Sequence, residues 1–255
     1  MWQTFIIEPM TNLLLLIYTL IGQNFGIAII LFTILIRAIT WPLTAQQLKG
    51  TSGIQELQTD KEWMGIQKKY KNDKEKLAQE QMRIYKERGI NPFGSCLPTI
   101  IQFPIIIGLY QAIIRALAAT PLSLLDLSRG LYSVLDITKV IPLNSTFLWM
   151  DLGRPEVSPI TIFGFNIPIL AIIVVITSYM QSKLMTPPPN PGGNDQSAAM
   201  SGMMSVYMPL LMGYFALTFA SGLALYFITS NTLGVAQYAM MGKANWSNLI
   251  PGRKK

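Results

Sequence analysis

Apolar runs separated by polar stretches dominate this chain, and five of the runs are long enough to cross a bilayer. A crossing helix needs about 20 mostly apolar residues to traverse roughly 30 Å of hydrocarbon. Phe25–Thr44, Ser95–Leu117, Ile160–Leu184, Met203–Phe219 and Leu223–Met241 fit that pattern. The fourth is short and reaches the fifth through only Ala220-Ser221-Gly222, which demands a tight antiparallel hairpin. Ahead of them Met10–Leu20 is apolar but shorter, with Glu8-Pro9 at its start and Gly22-Gln23-Asn24 after it. Residues 1–24 are therefore expected to hold a helix lying in the membrane interface, with a sixth span or an uncleaved signal as the alternative. No Lys or Arg precedes it, so the charged start of a signal peptide is missing.

Ile54–Gly89 is the one long polar region and reads as a helical hairpin. Ile54, Leu57, Trp63, Ile66 and Tyr70 predict its first helix, and Lys71-Asn72-Asp73 a turn with Asn72 and Glu75 as a capping box. Leu77, Met82, Ile84 and Tyr85 give the second helix a narrow apolar stripe, and Gly89 stands where a glycine cap belongs. Seven acids interleave with its bases, unlike the one-sided charge of a nucleic-acid arm, so no specific nucleic-acid binding is expected. Pro187–Gly193 reads as a flexible loop.

The fold expected is all-α and polytopic. Five transmembrane helices (25–44, 95–117, 160–184, 203–219 and 223–241) are joined by a cytoplasmic hairpin at 45–94, an extracytoplasmic loop at 118–159 and a cytoplasmic loop at 185–202. A basic tail occupies 242–255. Composition agrees: 51% of residues are hydrophobic and 13% charged, against about a quarter charged in soluble domains. Fifteen Lys and Arg fall on the side of the hairpin and tail, and four (Arg115, Arg129, Lys139, Arg154) on the other. The positive-inside rule then puts the N-terminus outside and the C-terminus in the cytoplasm.

The remaining basic residue, Arg37, lies inside the first run. An arginine at a span centre costs about 2.5–3.5 kcal/mol on insertion scales, so it normally faces a polar partner or water. Thr33, Arg37, Thr40 and Thr44 share one helix face, so this span is amphipathic within the bilayer. The competing reading is an arginine that snorkels to the cytoplasmic surface beside Trp41. None of the thirteen acidic residues lies in any of the five runs. The runs do carry Gln102, Tyr110, Gln111, Thr177, Ser178, Gln181, Tyr226, Ser230, Asn231 and Gln237. These could line a hydrated groove or act as helix-packing contacts. Met204, Met208 and Met212 repeat every four residues and suit either a slide for a guest helix or ordinary packing.

Several chemistries are excluded. There is no histidine, and Cys96 is the single cysteine, so histidine-activated nucleophiles, histidine-ligated metals and an internal disulfide are ruled out. No enzyme, cofactor or metal site is expected. Proton- or cation-coupled transport usually needs an intramembrane carboxylate, which is missing. A small anion transporter or channel past Arg37 remains the alternative.

The motifs resemble the YidC/Oxa/Alb insertase family. They are Arg37-x-x-x-x-Pro42-Leu43-Thr44 with Gln46-Gln47, Ile66-Gln67-Lys68-Lys69-Tyr70, Asn91-Pro92-x-x-x-Cys96-Leu97-Pro98, Gln102-x-Pro104 with Tyr110, and Leu223-Ala224-Leu225-Tyr226-Phe227-x-x-x-Asn231. They occur in the family's order over nearly the whole chain. The resemblance implies a five-helix core around a hydrophilic groove that is open to the cytoplasm, closed to the outside and occupied by Arg37. It implies substrate-facing positions at Thr33, Gln102, Phe103, Pro104, Tyr226 and Phe227, to which Thr40 and Gln181 are added from their place on the spans. It also implies nascent membrane proteins as substrates, with the ribosome, the signal recognition particle pathway and the Sec translocase as further partners. This chain departs from the pattern at Ala220-Ser221-Gly222, which lacks the usual proline, at Phe227 and at Thr59-Asp60. No large extracytoplasmic domain or Arg-rich transit peptide is visible, which favours a bacterial plasma membrane.

Overall fold

A computed structural model describes residues 1–58, 60–70, 73–89, 97–117, 120–133, 135–157, 159–162, 165–185 and 195–242. The expected Asn72 cap, the motif at 91–96, the proline-rich loop and the tail from 243 lie outside the described residues, as do the side chains of Ile54 and Met204.

The described chain is mostly helical. Helix α1 (Glu8–Leu20) is preceded by one π-helical turn (Gln3–Ile7), so helical backbone begins well before Met10. Asn12 anchors it: its amide donates to the carbonyls of Glu8 and Gly130, both at 2.8 Å, and its Oδ1 accepts from Tyr132 N at 2.8 Å. Gly22 and Gln23 take positive φ to reverse the chain. Asn24 Oδ1 then accepts the Ile27 N–H at the start of α2 (Phe25–Gln58).

The expected boundary at residue 44 does not interrupt α2. The helix runs through Pro42 and absorbs Ile54 and Leu57, which were assigned to the hairpin's first helix. Polar residues are compatible with continued i→i−4 hydrogen bonding, so loss of hydropathy marks the membrane edge but not the helix end. Asp60 supplies the true break: its side chain accepts from Glu62 N at 2.8 Å and starts α3 (Lys61–Lys69). Asp73 caps α4 (Lys74–Glu87), accepting from Lys76 N at 3.1 Å. Gly89 follows α4 with φ +63°, as a glycine cap requires. Leu57, Trp63 and Ile84 form a small core between these helices, and Arg88 pairs with Asp60 at 2.7 Å.

The Glu62 backbone N–H and the Arg88 guanidinium hold the Asp60 carboxyl below its ordinary value; the Lys76 N–H does the same for Asp73. A depressed carboxylate contributes stability above its unfolded-state pKa, and that stability is lost as pH falls through the folded value. Corrected for the intrinsic slowing of amide exchange at lower pH, hairpin exchange should therefore quicken on acidification below the ordinary aspartate range. Asp60→Ala should show the faster exchange in Lys61–Lys69 already at neutral pH, whereas Asp60→Asn, which retains a capping oxygen, should show less.

Helix α5 (Leu97–Leu117) leads to α6 (Pro121–Gly130) and α7 (Ile137–Val140). An antiparallel pair follows, β1 (Thr146–Phe147) with β2 (Met150–Asp151). A second pair, β3 (Thr161–Ile162) with β4 (Phe165–Asn166), occupies the start of the expected third span. Helix α8 is accordingly shorter, Ile169–Met185. Pro159, Gly164 and Pro168 bracket that stretch and oppose an earlier helix start. Glu156 Oε2 accepts the Leu170 N–H at 2.7 Å, satisfying a free donor of the new first turn. Helix α9 (Asp195–Thr218) starts before the expected fourth span, and α10 (Ser221–Met240) takes in Ser221 and Gly222 from the expected turn.

Helix α10 is central, packed by α2, α5, α8 and α9. The main core joins Leu15, Phe25, Ile29, Ile113, Leu152 and Leu223 among others. Among the described residues Gln3–Leu20 and Phe25–Ala45 are long and apolar enough to cross a membrane, and a third span arises if α5 and α6 form one bent unit. The neighbours of α10 bury polar residues of that helix, Ser230 and Gln237 among them.

Candidate functional site

Arg37 reaches from α2 to α10. Its Nε and Nη2 donate to Ser230 Oγ at 3.0 and 2.6 Å, and Nη2 also donates to the Ser230 carbonyl at 2.9 Å. The Gln102 amide on α5 donates to the Tyr226 hydroxyl. Gln181 on α8 completes the cluster by lying against Gly234. A Cβ there would fall 2.6 Å from Gln181 Nε2 and 3.7 Å from Arg37 Nη2, so the absent side chain makes room for both. Asn231 ties α10 to α8 by donating to Ser178 Oγ at 2.7 Å and Thr177 Oγ1 at 3.3 Å.

Four helices thus converge on one guanidinium that is half-buried. Among the described residues, the ion pairs lie in the hairpin, between Arg115 and Glu8, and between Arg154 and Asp151, so Arg37 has no carboxylate partner there. Its Nε and Nη2 donate to neutral oxygens, which stabilise the charge without cancelling it. Further along the same face of α10, Gln237 is 3% exposed and its Nε2 is buried with no partner among the described residues.

Of the residues singled out in the sequence, Arg37, Gln102, Gln181 and Tyr226 meet here. Thr33 is fully buried and bonds the Ile29 carbonyl at 2.6 Å. Thr40 and Thr44 likewise donate to carbonyls of their own helix, at Ile36 and Thr40. Phe227 is buried, its ring 5.8 Å from that of Tyr226. Phe103 and Pro104 are exposed on α5, apart from the hydrogen-bonded cluster. Met212 packs against the main core. Sequence reasoning named Ser230 only as one of the polar residues of the runs, not as the partner of Arg37, and did not select Gly234. Their four-residue spacing from Tyr226 was the available signal, since it places all three on one helix face.

The opposite end of α10 is closed. Ser221 N and Oγ donate to the Arg154 carbonyl at 2.7 and 2.8 Å, and Gly222 N donates to the Leu152 carbonyl at 3.0 Å. The loop between α7 and α8 therefore satisfies the first-turn donors of α10 and seats fully buried Leu152 on the helix bundle.

A polytopic helical membrane protein with an arginine among facing helices that has no carboxylate partner among the described residues is the class that this fold and site define. Residues 16–247 match the profile of the 60Kd inner membrane protein family, to which the chain belongs. It is 32% identical to the membrane protein insertase MisCA of Bacillus subtilis (strain 168), over 92% of this chain and 77% of that protein. Identity is also 32% to the membrane protein insertase YidC 2 of Bacillus anthracis, over 92% and 79% of the two chains. The inner membrane protein ALBINO3 of Arabidopsis thaliana chloroplasts is 31% identical over 86% of this chain and 46% of its own length. The fold is similar to a crystal structure of an active YidC insertase with its first transmembrane domain resolved, at a TM-score of 0.58 and 25% identity. That match covers 94% of this chain, which spans 46% of the solved one.

Proposed function

We propose that this chain inserts nascent membrane proteins by hosting their polar segments beside Arg37 while their apolar segments pass sideways into lipid. The observation that carries the reading is the guanidinium held by Ser230 without a carboxylate partner among the described residues. A positive charge solvated by hydroxyl and carbonyl oxygens attracts an acidic or polar segment of another chain. The buried, unpartnered amide of Gln237 supports a site that also takes water or a visiting acceptor.

In this reading five helices span the plasma membrane, the N-terminal helix lies at the outer surface, and the groove opens to the cytoplasm. The packing of Leu152 and Arg154 over α10 favours closure on the outside. The hairpin and the basic tail, both on the Lys- and Arg-rich side, are the proposed contacts for the ribosome, the signal recognition particle pathway and the Sec translocase. No covalent step, nucleotide or metal enters. Transfer of apolar area, worth on the order of 25 cal/mol per Å², drives release into lipid.

Site-specific crosslinking during translation of a small membrane protein tests this directly. A photoreactive residue at Gln102 or Phe103 should capture the nascent helix, and one at exposed Leu148 on the opposite side should not. Equal capture from all three positions would remove the groove from the mechanism. Arg37→Ala should slow insertion of substrates with charged outer segments more than that of purely apolar ones. Uniform insertion rates across substrates in the variant would contradict a role for the charge.

A further inference from the structure

A second site lies at the end of α5 away from Arg37. Arg115 is roughly 20 Å along the helix from Gln102 at 1.5 Å per residue, so this is separate from the groove. A cleft of about 310 Å³ is lined by Gln111, Arg115, Ser123 and Asp126 on its polar side and by Ile7 and Ile114 on its apolar side. That volume is at the lower end of ligand-sized clefts, on the order of 300–1,000 Å³.

The polar groups there retain bonding capacity. Trp2 Nε1 donates to Gln111 Oε1 at 2.9 Å, which leaves the Gln111 amide hydrogens for another acceptor. Arg115 donates from Nη2 to the backbone carbonyl of Asp126 at 2.9 Å. Its Nη1 stands 3.8 Å from Glu8 Oε1 and has no hydrogen-bond partner among the described residues. Because Arg115 takes the carbonyl of Asp126, the carboxylate of that residue remains an acceptor at the rim. The cleft thus offers donors for an anionic oxygen and, beside them, an acidic acceptor for a cation. Below it, Ile114 and Ile107 are 42% and 45% exposed on one face of α5, an apolar track leading toward the hydrocarbon.

We propose that this cleft binds one phospholipid whose headgroup carries both a phosphate and a primary ammonium. The phosphate meets Arg115 and the Gln111 amide, the ammonium donates to Asp126, and an acyl chain follows Ile114 and Ile107. A purely anionic headgroup would face Glu8 and Asp126 without a compensating cation. A quaternary choline has no N–H to give the carboxylate. The inference requires α5 to span the bilayer but is independent of what the groove does.

Native mass spectrometry of the full chain in detergent tests it, with phosphatidylethanolamine, phosphatidylcholine and phosphatidylglycerol of matched acyl chains. Phosphatidylethanolamine should be retained several-fold better than either competitor. Soluble glycerophosphoethanolamine at equal concentration should not displace it, because it lacks the acyl chain. Asp126→Asn preserves the backbone bond to Arg115 and should bring phosphatidylethanolamine down to the phosphatidylcholine level; Gln111→Ala should weaken both. Equal retention of the lipids by the unaltered protein, an unchanged preference in Asp126→Asn, or full displacement by the soluble headgroup would each overturn the proposal. Insertion activity is not read in this experiment, so its failure is distinguishable from failure of the groove mechanism.

Discussion

Gly234→Leu should lower insertion of substrates with charged outer segments to the level of Arg37→Ala, at least about tenfold, while Gly234→Ala should leave most activity. A Cβ at this position falls 2.6 Å from Gln181 Nε2, but that atom ends a flexible side chain and can swing aside. Alanine therefore displaces Gln181 and little else. The branched leucine side chain extends past that point toward Arg37 Nη2, already 3.7 Å from the Cβ, and crowds the guanidinium off Ser230. Hydrogen bonds to a charged group are worth about 1.5–3 kcal/mol each, and about 1.4 kcal/mol is a factor of ten. Loss of even one of the three thus gives the stated effect. Insertion rates for the two variants beside Arg37→Ala decide the matter; a fully active leucine variant would show that the Arg37–Ser230 contact is dispensable.

Gly26→Ala should loosen the opposite end of the molecule. The added Cβ would lie 2.2 Å from Cγ of Phe147 on β1, and Cγ is too near the backbone to move without carrying the ring away. The ring must leave, and with it the seat of the β1–β2 hairpin on α2. Overpacking of this kind typically costs about 1–3 kcal/mol. The midpoint of thermal unfolding should fall, and proteolysis between Asn144 and Arg154 should accelerate. The contact also predicts coupling: Phe147→Ala removes the obstacle, so the double variant should be less destabilised than the sum of the two single changes. Simple additivity would place the cost elsewhere.

These two glycines mark where sequence reading ran out. Hydropathy located the apolar bodies of the helices, and the rarity of a charge in an apolar run isolated Arg37. The same signal misplaced boundaries wherever helix and membrane edges differ. Helix α2 continues into polar sequence to Gln58, whereas α8 begins only at Ile169 after a β-hairpin in apolar sequence. Within the hairpin the helix starts moved for a local reason: Asp60 and Asp73 supply the caps that begin α3 and α4.

By itself the sequence determined that the chain is a mostly helical membrane protein, which helix carries the isolated positive charge, and that no acid from its own five apolar runs could neutralise it. Those properties are local or summable, because hydropathy, charge and residue counts do not depend on which helices touch. Only the tertiary structure decided that Ser230 holds Arg37, that Gly234 clears the space, that Thr33 turns to its own backbone, and that the Leu152–Arg154 carbonyls close α10. Each depends on residues distant in sequence approaching within hydrogen-bonding or van der Waals distance, and a linear pattern does not specify such approaches.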